Sequence, residues 1–299
     1  MKKAGIDFGL THVKAFWINS KKDEKEEEMF LSTADVSRNS LASVLAHSGV
    51  TDLCVNGNGQ THGFEDFRHH RLEKPRLSLL EAEIHIQAAG ARRLLQQQLL
   101  FPEMYYLISI GTGTSYTLCN QRLYASLLGS AIGAGTVDGL LALAGVASGP
   151  HIDALLGDKL VKGDFSSFDL MLVEAIPSLK GTLHEQHAAS HLAKVPQELS
   201  RLGVKNIAER VCMSAVNMLV TDVACRILLH DKNPQCRYFL DPVWLSITDV
   251  VILGTMPHLS KNVRLILEVA LRSIGKNPIF PDHGEYALAV GAYHSIDLQ

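Results

Sequence analysis

Two stretches of this chain carry residues suited to gripping a phosphate. Residues 104–115 run Met-Tyr-Tyr-Leu-Ile-Ser-Ile-Gly-Thr-Gly-Thr-Ser. The apolar run through Tyr105, Tyr106, Leu107, Ile108 and Ile110 reads as a buried strand. It empties into Gly111-Thr112-Gly113-Thr114-Ser115, and strand character resumes at Tyr116-Thr117-Leu118, so the glycines sit at a hairpin tip. Glycine there lets backbone approach a ligand closely, while successive N–H groups and hydroxyls face an anion. An ordinary tight hairpin would account for this stretch alone. The N-terminus repeats the device, however, as Ala4-Gly5-Ile6-Asp7-Phe8-Gly9-Leu10-Thr11-His12-Val13-Lys14-Ala15-Phe16-Trp17. Two strand–turn–strand units about a hundred residues apart imply two related halves, each with an anion-gripping hairpin. Asp7, at a strand end, is placed to hold a hydrated Mg²⁺ through water, and Lys14 to reach a phosphate as a point charge.

Other residues could complete such a site. Glu81 and Glu83 open a helical pattern over Leu77–Leu100. Negative charge is stabilised at a helix N-terminus, and a carboxylate that projects into a cleft there can take a proton from a reacting hydroxyl. Asn56-Gly57-Asn58-Gly59 follows a short strand, Asp52–Val55, and suits a cleft. Glycines 129, 133, 135 and 139 precede an apolar run from Leu140, reading as a loop entering a helix that either accommodates phosphate or packs closely. Gly254-Thr255 falls just beyond the strand Asp249–Leu253, where α/β folds bind nucleotides. His184, His187 and His191 share a helical face, but His-Glu-Gln-His is one residue short of the zinc motif, so the spacing argues against a metal. Residues 62–76, rich in His, Arg and Lys, read as a solvated basic loop, or as a basic surface loop near an anionic substrate.

The elements that must position these groups alternate strand and helix. Helices are expected over 35–48, 204–230, 260–274 and 285–295, with strands over 249–253 and 278–280. Helix 204–230 has the amphipathic pattern of a core or a dimer seam. The 299 residues suffice for one large domain or two lobes, divided here at 1–102 and 103–299. A net charge of −3 gives no electrostatic case for nucleic acid or an anionic membrane. The start enters a strand at once, without the apolar core of a signal peptide, and no uninterrupted apolar run approaches the ~20 residues of a membrane span. Five scattered cysteines without paired spacing point to reduced thiols and a cytoplasmic location.

With these elements placed, the chain resembles the type II pantothenate kinases of the actin/hexokinase/Hsp70-like ATPase superfamily. The resemblance rests on Gly5 to Lys14, Asn56 to Gly59, Glu81-Ala82-Glu83, Ile110 to Ser115, Gly129 to Leu140, Ile252-Leu253-Gly254 and Tyr286 to Ala292. It implies an α/β fold of two actin-like (ribonuclease H-like) lobes with a nucleotide cleft between them. It also implies ATP and Mg²⁺ as cofactors, pantothenate as substrate, inhibition by CoA or acyl-CoA, and a homodimer. On this resemblance Asp7, Gly9, Thr11 and Lys14 form the first phosphate hairpin and Gly111, Thr112 and Gly113 the second. Glu81 matches the catalytic base with Glu83 the nearby acid, Thr112 and Ser115 contact pantothenate, and Gly133, Gly135 and Gly254 flank the adenosine. The chain departs from the family at Leu10, where a glycine is expected, and at Ser126, where an active-site arginine is expected. Arg122 is the nearest substitute for that arginine. The implied activity is formation of 4′-phosphopantothenate, the first step of coenzyme A biosynthesis. The alternatives are an inactive relative that binds nucleotide or a CoA thioester, and a kinase for another small hydroxyl compound.

Overall fold

The computed structural model describes residues 2–9, 12–19, 27–33, 35–57, 62–72, 78–127, 129–146, 151–157, 159, 166–180, 188–198, 204–232 and 247–296. The first sheet holds β1 (Lys2–Phe8), β2 (Val13–Asn19), β3 (Glu27–Ser32), β4 (Val50–Asn56) and β5 (Arg68–Arg71), in the order β3-β2-β1-β4-β5. The second holds β6 (Met104–Ile110), β7 (Thr114–Asn120), β8 (Tyr124–Ser126), β11 (Asp249–Leu253) and β12 (Asn277–Ile279), in the order β12-β11-β6-β7-β8. A small ribbon of β9 (Leu170–Met171) and β10 (Ala188–Ser190) stands apart.

The two large sheets follow one plan. In each, the first strand is central, with an antiparallel hairpin on one side and parallel strands on the other. A two-residue hydrophobic period builds the first sheet. Ala4, Ile6 and Phe8 of β1 pack in one core with Leu53 and Val55, while Gly5 and Asp7 occupy the opposite face. Helix α1 (Arg38–His47), capped by Ser37, closes that core with Leu41 and Leu45.

Helix α2 (Leu79–Gln97) lies between the sheets, and its Ala88, Ala91, Leu94 and Leu95 join a core with Phe16, Tyr105, Leu107 and Leu253. Burial of each leucine there contributes about 1.5–3 kcal/mol. The second lobe adds α3 (Ala134–Leu143), α4 (His151–Leu156), the short α5 (Leu172–Ala175) and α6 (Val195–Glu198), and the long α7 (Val204–Lys232). It ends with α8 (Thr255–Leu259), α9 (Lys261–Ser273) and α10 (Ala287–Ser295).

Helix α10 does not stay with the half in which its sequence lies. It packs on β1, β4 and α2, so a boundary at residue 102 divides the sheets but not the helices. Small residues permit this approach. A Cβ on Gly5 would overlap the Ala289 carbonyl oxygen, one on Gly90 that of Ala287, and one on Gly291 that of Ile86. These three glycines bring α10 against both β1 and α2, which sets where the first turns of α2 stand.

One sequence expectation changes in the structure. Residues 68–71 lie within the stretch expected to be a basic loop, yet they form the edge strand β5. Buried Asp52 accepts hydrogen bonds from Arg68 (2.9 Å) and His70 (2.8 Å), which compensates the charge on that edge. Ile207–Asp231 of α7 is long and apolar enough to cross a bilayer by length and composition. Half of that window is buried, and Cys212, Val216, Leu219, Val223 and Ile227 lie in the second core, so here it is a core helix.

Candidate active site

The parallel strands β1 and β4 end side by side and bring Asp7 next to Asn56. Asn56 Nδ2 donates to Asp7 Oδ1 at 3.1 Å, and across the hairpin Asp7 pairs in register with Lys14. Burial raises the Asp7 pKa, and the Lys14 charge and the Asn56 hydrogen bond oppose it. Burial lowers the Lys14 pKa, against the pull of Asp7 and Glu285. Lys14 Nζ reaches across to the second lobe and donates to Thr255 Oγ1 at 2.7 Å.

Thr255 opens α8 directly after β11. Gly254 between them has φ +114°, a conformation side chains resist, and a Cβ there would overlap the Ile110 carbonyl oxygen at the end of β6. His258 bridges the carbonyl oxygens of Gly254 (2.7 Å) and Pro281 (2.9 Å), which holds this turn. Gly254 and Thr255 therefore stand beside the Gly111–Gly113 tip. The tip in turn rests on the loop into α3. A Cβ on Gly133 would come 2.6 Å from the Gly113 backbone, and one on Gly135 would come 2.8 Å from Thr112 Cγ2. Close packing against the hairpin thus explains Gly133 and Gly135, for which the resemblance implies a place beside adenosine. Gly9 is similarly tight, its Cβ position 2.8 Å from the His12 carbonyl oxygen. His12 faces the second lobe, where Asp138 of α3 raises its pKa against the larger lowering by burial and Lys14.

The two carboxylates of α2 have different tasks. Glu81 is exposed, and its Oε2 accepts from the Ser78 N–H and hydroxyl (2.7 Å each), while Ser78 Oγ accepts from the Glu81 N–H (3.3 Å). This reciprocal cap closes the helix, and those hydrogen bonds lower the Glu81 pKa. Glu83 keeps an open side to solvent, but the protein around its carboxyl raises its pKa, and the nearby Asp7 charge raises it further. Residues two apart on a helix face nearly opposite ways. Glu83 is thus the carboxylate whose pKa the Asp7 charge raises, while Glu81 is held in the helix cap.

Other expected residues fall as follows. Ser115 lies at the lobe seam, its Oγ donating to Gln87 Oε1 of α2 at 3.3 Å. Thr112 is exposed at the hairpin tip. Arg122 lies at the far end of β7 from the Thr114 end. It sits exposed in the turn after β7, its N–H on Asn120 Oδ1 (2.8 Å), about 20 Å along the strand from the Thr114 end. Ser126 is exposed on β8, opposite Thr117. Thr11, Leu10, Asn58, Gly59, His184 and His187 lie outside the described residues. Sequence alone gives no individual role to Asn56, Gln87, Thr255 or Asp138. Of these, Gln87 carries a local signal, standing four residues after Glu83 on the same helical face.

Fold and site together define an α/β protein of two actin-like lobes, with buried Asp7 and the Lys14–Thr255 hydrogen bond where the two lobes approach. Component A of the (R)-2-hydroxyglutaryl-CoA dehydratase of Acidaminococcus fermentans shares the fold, with a TM-score of 0.54 at 16% identity over 98% of this chain and 96% of that one. In sequence the chain is distantly related to the type II pantothenate kinases of Bacillus cereus and Bacillus thuringiensis subsp. konkukian. Each is 22% identical over 290 residues, spanning 96% of this chain and 95% of the relative. No family model matches the chain.

Proposed function

We propose that the protein is an ATP-dependent phosphotransferase acting on a small hydroxyl compound, with pantothenate the acceptor to test first. The observation that carries this reading is the Lys14–Thr255 bond. It places a cation from one lobe and a hydroxyl from the other at one point beside Asp7. Distant relation to type II pantothenate kinases over nearly the whole chain supports the choice of acceptor.

In this reading the Gly111–Gly113 backbone, Lys14 and the Thr255 hydroxyl hold the polyphosphate, Lys14 exchanging its present partner for a phosphate oxygen. Among the described residues no group of three or more ligating side chains gathers. Mg²⁺ on ATP keeps most of its waters and needs only one or two carboxylates, so buried Asp7 fits it, and the ion would neutralise charge on the phosphates. Glu83 orients the acceptor hydroxyl and takes its proton. The oxygen–phosphorus bond to the acceptor forms as the bond to the departing diphosphate oxygen breaks, giving phosphorylated acceptor and ADP.

Replacing Lys14 by methionine is expected to raise the KM for ATP about 10–100-fold, the loss of one charge-assisted hydrogen bond. Steady-state kinetics with ATP varied checks this. Because Glu83 acts as base only when ionised and its pKa is raised, activity falls with acid at a pH above the ordinary glutamate range. A pH–rate profile whose acid limb is unchanged in Glu83→Gln would remove Glu83 from that role. The deciding experiment is ³²P transfer from ATP to a panel of pantothenate, sugars and amino sugars. Ser126, standing where the family has arginine, favours a second reading, nucleotide binding without turnover. Saturable ATP binding without any phosphorylated product would establish it.

A further inference from the structure

Gln87 is a polar side chain at the lobe seam whose hydrogen-bonding capacity the fold leaves largely unused. It is only 3% exposed, and its one described bond is the 3.3 Å acceptance from Ser115 Oγ. A primary amide offers two donors and two acceptor sites. Its nitrogen bonds to no described residue, and it is absent from the fully enclosed unpartnered atoms, so it borders accessible space. Reversing the amide, with nitrogen donating to Ser115 and oxygen left over, changes which atom is open but not the deficit. Buried polar groups are paired as a rule, so a deficit of this kind marks a place where something else supplies the partner.

The position says what that partner is. Gln87 stands one helical turn from Glu83 on the same face, about 5–6 Å between Cβ atoms. A compound presenting its hydroxyl to Glu83 therefore has the Gln87 amide within reach of a second group, and an amide, being both donor and acceptor, pairs with an amide or a hydroxyl that is also both. Resting on the function proposed above, we infer that Gln87 recognises the acceptor by binding an amide or second hydroxyl within a few bonds of the phosphorylated hydroxyl. Pantothenate carries both groups there. 2,2-Dimethylpropan-1-ol has the same hindered primary alcohol and no second polar group.

The experiment compares Gln87→Leu and Gln87→Met with wild type on these two acceptors. The KM for pantothenate should rise about 10–100-fold with kcat within a few-fold and the KM for ATP within twofold, while kcat/KM for 2,2-dimethylpropan-1-ol stays unchanged. The melting temperature should equal or exceed that of wild type, since an under-used buried amide is being replaced by an apolar side chain. A melting temperature lower by several degrees, an equal loss on both acceptors, or a parallel rise in the KM for ATP would overturn the inference and leave Gln87 a packing residue. If wild type phosphorylates no acceptor, the functional reading fails on its own, and calorimetric titration with pantothenate decides Gln87. Binding lost in both variants sustains its role, and binding unchanged, or absent from wild type, ends it.

Discussion

Exchanging Glu83 for glutamine is expected to lower kcat by about 10²–10⁴-fold, the usual contribution of a positioned general base. The change keeps shape and removes only the group that accepts the proton, so the KM for ATP should move little. Glu81→Gln is the control. Glutamine can serve the same reciprocal cap with Ser78, so neither folding nor turnover should change appreciably. The two carboxylates are only two residues apart, and the comparison therefore tests the orientation of α2 directly. Full activity in Glu83→Gln with loss in Glu81→Gln would reverse the assignment. It would mean that the Glu81 carboxylate leaves its cap when substrate enters.

The second large effect concerns a residue that touches no ligand. Gly90→Ala should destabilise the protein by about 3 kcal/mol or more, the upper range for overpacking, because the new methyl meets the backbone of Ala287. A flexible side chain could turn aside, but a carbonyl in α10 moves only with its helix. Chemical denaturation with a two-state fit measures the loss. A variant that still folds should also show reduced kcat/KM, since shifting α2 from α10 displaces Glu83 and Gln87 together. An alanine variant as stable and active as wild type would show that the α2–α10 contact is looser than its glycines imply.

Much of this architecture was legible beforehand because it depends on local pattern. A two-residue hydrophobic period and Gly/Thr turns mark both hairpins, and both appear with the expected strand–turn–strand order. The amphipathic pattern of α7 marks it as a core or seam helix, and it fills the second core. Charge composition misled at 68–71. Strand β5 pairs with β4 and carries Arg68 and His70 on buried Asp52, sixteen positions before Arg68, a partner that no local rule weighs.

For the site, the sequence by itself determined the chemical types: an acid and a lysine on one hairpin, glycines and hydroxyls on the other, and two carboxylates at a helix start. Those follow from residue identity and spacing along the chain. Only the tertiary structure decided which of them meet. The rotation of α2 about its own axis, set by Gly90 and Gly291 against α10, leaves Glu83 where the Asp7 charge raises its pKa and Glu81 in its cap. The length of β7 carries Arg122 away from the cleft, and the turn at Gly254 delivers Thr255 to Lys14 across 241 residues. Helical and strand periodicities give each side chain a direction relative to its own element, but the direction relative to another element comes from close packing between parts far apart in sequence.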